Sequence, residues 1–253
     1  MIEFFKRVSM PRMRVALRAM LVGVATGFAG LASAGYVTTF ESGMDAIFSQ
    51  TSFGSNTIDI RFNPTMTVVD ANLVSLDSNQ EFDSLSVLRG GLASNIVSIF
   101  FIDSIPFCGA PGNNIIGCGN SGNLIALKSS AAADPRIGAN LMAHELGHNL
   151  DLDHLDGSNN NLMNPNINSF SLTTGSFLNS SQVATIFATR PGPGNVLNNQ
   201  IIQRDDDGYF ISITPFAVVS AVPEPQTWLM MGLGLLGIMA WVRRPRPMAW
   251  RAA

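Results

Sequence analysis

The chain has 253 residues, which is room for one medium-sized domain and short processing segments. Only 13% of its residues are charged and the formal net charge is -3, so it offers no basic field to hold nucleic acid, and nucleic acid is set aside as a partner. The mean hydropathy of +0.23 is high for a soluble protein, and much of the apolar excess lies at the two ends. Residues 1–34 open with Lys6, Arg7, Arg12, Arg14 and Arg18, continue as an uncharged apolar run over 19–31, and close on Ala32-Ser33-Ala34. That order is the plan of a secretory signal peptide, with the mature start near Gly35.

Residues 35–192 read as one α/β domain of short elements. A helix is expected over 44–53. A strand follows over 57–62, where apolar and polar residues alternate, and Asn63-Pro64 stops it. Residues 81–88 read as a helix ended by Gly90-Gly91, and 95–102 (NIVSIFFI) as a strongly β-prone strand. The Gly-, Asn- and Pro-rich segment 104–122 reads as a loop with one short strand at 114–118, followed by a strand over 123–129. Asp134-Pro135 is expected to open a helix running to 149, with Asp134 as its cap and Pro135 in its first turn. Ser180 or Ser181 should cap a further helix to 188, and Arg190-Pro191-Gly192-Pro193-Gly194 ends the compact part. Residues 193–221 then read as a linker, with a hairpin about Asp205-Asp206-Asp207-Gly208. A solvated turn is favoured over a calcium loop for that acidic triplet.

Residues 222–253 combine Val222-Pro223-Glu224-Pro225, an apolar stretch over 227–242, and Arg243, Arg244, Arg246 and Arg251. About 16 apolar residues are marginal for a bilayer core, which usually takes about 20, and the arginines beyond them predict a cytoplasmic C-terminus with the main domain outside. The segment resembles the PEP-CTERM sorting signal of Gram-negative bacteria. The resemblance implies export across the inner membrane, anchoring there by a transmembrane helix, and cleavage near the motif by an exosortase-like enzyme, with release or surface attachment afterwards. For Cys108 and Cys118, the only two cysteines, an oxidising compartment favours a disulfide. A cysteine metal site lacks partners, because every histidine is committed elsewhere.

The three histidines all fall within His144-Glu145-Leu146-Gly147-His148-Asn149-Leu150-Asp151-Leu152-Asp153-His154. Random placement would give that spacing in roughly one arrangement in ten thousand. His144 and His148, four apart on a helix, project from one face and can share an ion, while Glu145 is turned about 100° away, placed to meet a water rather than the metal. A sharp turn after Leu150 would return His154 and complete a tris-histidine zinc site with one open position.

This pattern resembles the metzincin motif HExxHxxGxxH. It departs at the glycine, where Asp151 stands, and aspartate visits the left-handed conformation needed there more readily than most residues. Asn161-Leu162-Met163-Asn164-Pro165 follows, and the resemblance places Met163 in a turn beneath the metal; no tyrosine lies two residues beyond it. The fold implied is a metzincin-like zincin domain of the α+β kind, with a small, mostly parallel twisted sheet, an antiparallel edge strand, an active-site helix and a Met-turn. The activity implied is zinc-dependent endopeptidase action on a peptide or protein lying along the edge strand, for which 114–118 is the candidate. Zn2+ would be held by His144, His148 and His154, with Glu145 as general base. Two alternatives stand beside this reading: a zinc hydrolase of a non-peptide amide, and a non-catalytic zinc-binding matrix or surface protein.

Overall fold

The computed structural model describes residues 35–119, 122–157, 160–165, 176–188 and 201–220, and the helix over 225–242. The signal-peptide reading of 1–34, the Pro223-Glu224 pair and the terminal arginines lie outside the described residues. Two compact units are present, Ser33–Ala221 being the larger, and the helix Pro225–Val242 belongs to the other.

The larger unit is built on a mostly parallel sheet whose described strands run β1 (Ile58–Phe62), β9 (Gly208–Val219), β3 (Ile96–Ile102), β7 (Leu124–Lys128) and β6 (Gly117–Gly119) across it. Only β6, at one edge, and the short β8 (Gln203–Asp205), which pairs with the start of β9, run antiparallel to their neighbours in this sheet. β2 (Met66–Val69) continues the β1 side of β9 in parallel. A separate two-stranded ribbon joins β4 (Phe107–Cys108) to β5 (Ala110–Pro111).

β9 is the strand on which the sheet is organised. Ile60 pairs with Ile211 on one side, and Ile96 to Phe101 run beside Ser212 to Ala217 on the other. The expected boundary at 192, with a linker over 193–221, is therefore corrected: the domain extends through β9. The hairpin itself forms where expected, with Asp205 paired to Gly208. Pro215 lies mid-strand, where a proline costs a ladder donor. It falls where β1 pairing stops at Ile213 and β2 pairing starts at Phe216, and Asn63 bridges the gap by donating from its amide to Thr214 Oγ1 at 3.0 Å.

Side-chain alternation splits the sheet residues between two cores. Val97, Ile99 and Phe101 of β3, with Ile125 and Leu127 of β7, enter the core that also holds Met44, Phe48, Leu141, Met142 and Leu146. Phe100, Ile102, Leu124 and Ala126 enter the other, with Leu76 and Leu85, and there Phe100 stacks on Phe216 at 4.5 Å. Because both faces are covered, the central strands read as nearly continuous apolar runs.

The helices begin and end somewhat differently from the sequence expectation. α1 spans Glu41–Phe48, and Thr51–Phe53 is a separate 3-10 turn, so the helix expected over 44–53 is shifted and divided. α2 is Asn79–Leu88, its first turn capped by Ser78. Asp134 does not cap the helix carrying the histidines: a short α3 (Ser129–Ala132) precedes it and α4 starts only at Gly138. The Asp134 carboxylate is engaged locally, accepting from the Arg136 backbone N–H at 2.9 Å and from its guanidinium. It thus closes a turn ahead of the helix. α5 is Ser180–Ile186, and its cap is Asn179, not either serine: Asn179 and Gln182 form a reciprocal capping box.

α6, Pro225–Val242, is 18 residues long. Among the described residues no helix is long and apolar enough to cross a membrane, so the expected span is not established by the fold.

Candidate metal centre

α4, Gly138–Asn149, carries His144 and His148 one turn apart. The helix then ends in a tight reversal: Leu152 N–H donates to Gly147 O at 2.9 Å and Asp151 N–H to His148 O at 3.1 Å. These are the two bonds of a Schellman motif, which requires a left-handed residue between them. Asp151 is that residue, with φ 61°, so it does the work expected of a glycine. The reversal returns His154 over the helix.

The three side chains converge. Nε2 of His154 lies 3.3 Å from Nε2 of His144 and 3.1 Å from Nε2 of His148. The other ring nitrogens of two of them are fixed from behind: His144 Nδ1–H donates to Leu162 O at 2.7 Å and His148 Nδ1–H to Leu152 O at 2.8 Å. An imidazole that donates from Nδ1 presents a lone pair at Nε2. Burial holds His144 at a pKa of about 4 and pushes His148 down as well, so both remain neutral at pH 7. Two of the three converging Nε2 atoms therefore carry lone pairs directed at the third, an arrangement that suits a shared cation. The three histidines could therefore bind a metal ion.

Met163 lies completely buried behind the helix in the turn Asn161–Asn164. Its sulfur would be 2.5 Å from a Cβ placed at Gly147, so the glycine inside the histidine motif is what admits the methionine. Asn161 was not identified from the sequence, yet it organises this turn. Its Oδ1 accepts from Met163 N–H and from Gln182 Nε2, both at 2.9 Å, and its Nδ2 donates to Gln182 Oε1 at 2.7 Å. Gln182 in turn is held by the α5 capping box. The Asn179-to-Gln182 spacing was visible in the sequence; the pairing across to Asn161 was not.

Glu145 points into the same cleft as His144 and His154, a space of about 750 Å³ also walled by Ile116, Gly117 and Asn164. Its side chain is almost fully buried. Burial raises its carboxyl to about 8, with the backbone N–H of Gly119 pulling the other way. The edge strand beside it is Gly117–Gly119, three residues that overlap the expected 114–118 only in part. Cys118 in its middle is joined to Cys108, as the compartment argument anticipated.

Comparison with known proteins decides one further point. Residues 221–244 match the PEP-CTERM protein-sorting motif. The chain carries that sorting signal. The PEP-CTERM motif implies export, membrane-anchored sorting in Gram-negative bacteria and recognition by an exosortase-like processing enzyme. No curated protein and no solved structure matches the chain.

Proposed function

We propose that the protein is an exported zinc-dependent endopeptidase with a metzincin-like site, in which His144, His148 and His154 hold the metal and Glu145 is the general base. The observation that carries this reading is the convergence of three Nε2 atoms at 3.1 and 3.3 Å separations beside a buried carboxyl in an open cleft. Nitrogens about 2.0–2.1 Å from a tetrahedral zinc lie roughly 3.3 Å from one another, and neutral imidazoles suit that ion. The left-handed Asp151 and the Met163 turn behind the helix support the metzincin resemblance.

Bound zinc supplies Lewis acidity, activating water near neutral pH and polarising a carbonyl. The protein's own groups do the rest. His144 and His148 are kept in the ligating tautomer by Leu162 O and Leu152 O. Glu145, in its ionised form, would take a proton from water and return it to a leaving amine. A peptide extended along β6 would present its carbonyl to the cleft, since an unpaired strand edge accepts another strand through backbone hydrogen bonds. After sorting, the domain is released or attached at the surface.

The test is hydrolysis by the full chain purified after export, assayed against a broad peptide library and a panel of non-peptide amides, with and without a zinc chelator. Chelator-sensitive cleavage of peptides is expected. Cleavage confined to the non-peptide amides would replace endopeptidase with amidohydrolase. No cleavage of either, with zinc bound, would make this a zinc-binding surface protein.

A further inference from the structure

β6 reads Gly117-Cys118-Gly119, and alternate residues of a strand face the same way. Cys118 is tied to Cys108. Its two neighbours face Glu145: a Cβ at Gly117 would lie 2.2 Å from Glu145 Oε1 and 2.7 Å from Cδ, and one at Gly119 would lie 2.7 Å from the Glu145 backbone oxygen and 3.0 Å from Oε2. Neither glycine has a positive φ. Their conformation is therefore open to any residue, and what excludes a side chain is the space the glutamate occupies. The Gly119 N–H meets the same carboxylate. On its far side β6 is held to β7 with Gly117 opposite Leu127 and Gly119 opposite Ile125, so the strand cannot easily retreat.

We infer that Gly117 and Gly119 are positioning residues, a side-chain-free cradle that fixes the Glu145 carboxylate beside the histidine triad, with the Cys108–Cys118 disulfide anchoring the strand that forms it. The inference deepens the reading of Glu145 as proton carrier and rests on it for its catalytic consequence, though not for the geometry. A methyl group at 117 would displace the carboxylate by an ångström or more. Misplacement on that scale costs on the order of 100-fold in rate.

The experiment is a double-mutant cycle on the full chain, using Gly117→Ala, Glu145→Ala and both together. Unfolding by denaturant is measured without metal, and zinc stoichiometry, kcat and KM are measured with it. Gly117→Ala should lower the unfolding midpoint in the wild-type background and leave it unchanged in the Glu145→Ala background, where the methyl has room. It should keep one zinc per chain and lower kcat about 100-fold, with KM within about twofold. If Gly117→Ala fails to fold, recovery of folding in the double variant supports the cradle, and failure of both variants overturns it. An equal cost in the two backgrounds also overturns it. A wild-type chain that cleaves nothing while the stability coupling persists would refute the peptidase reading and leave the cradle standing.

Discussion

The two edges of the sheet both meet carboxylates, with opposite results. At the β1 edge, Asp45 accepts from Ile60 N–H at 2.8 Å and Glu41 from Phe62 N–H at 3.0 Å, so α1 closes the strand against further pairing. Glu41 is exposed and Asp45 half-buried, and both act as strand caps. At the β6 edge the carboxylate is Glu145, buried against two glycines and facing the cleft that holds the histidines. The same functional group is a structural cap where water reaches it and, on the proposed reading, a proton carrier where it is buried. Burial, not residue type, makes the difference.

That contrast can be broken in several ways. The largest expected effect is in pH. Glu145 has its pKa raised from 4.5 to about 8, so the unfolded state loses this proton first and stability falls as pH rises from 4.5 toward 8. The metal-free Glu145→Gln variant should therefore match the wild type near pH 4.5 and exceed it at pH 8; equal stability at both would mean the carboxyl is not buried. Next is the disulfide. Replacing Cys108 and Cys118 by serine should cost up to about 3 kcal/mol in denaturant unfolding and weaken hydrolysis more than zinc affinity, because β6 borders Glu145 and not the ligands.

Asn161→Ala should do the reverse. It loosens the turn that supplies Leu162 O to His144, and zinc affinity measured by competition with a chelator should fall about 10- to 100-fold. The smallest effect is at the opposite edge. Asp45→Ala should cost about 1 kcal/mol of stability and leave kcat/KM unchanged. A loss of hydrolysis there would dissolve the distinction between the edges.

The sequence was most informative where the chemistry is local. Histidines at fixed spacing, a helix between them, an aspartate able to take φ 61° and a methionine in the following turn all lie within 22 residues, 144–165. Pairing partners were out of reach. β9 follows a Pro/Gly-rich segment and carries Pro215, both signs of a linker or an edge, yet it takes an interior place because β1 and β3 flank it from far earlier in the chain. The four residues of β2 have too little length for periodicity to register. β6 is two-thirds glycine, so no apolar alternation marks it, and the expected edge strand was placed a few residues early. Asp134 had the residue type of a helix cap, but its own Arg136 claims it.

The most direct test of the central claim is a zinc titration of the chelated full chain with hydrolysis followed in the same sample, beside Glu145→Ala. Activity should rise in proportion to zinc and saturate at one equivalent per chain, while Glu145→Ala binds the same equivalent and loses about 100- to 10,000-fold in kcat. A Glu145→Ala chain that hydrolyses peptide as fast as the wild type, or a wild-type chain saturated with zinc and inert toward every peptide, would contradict it.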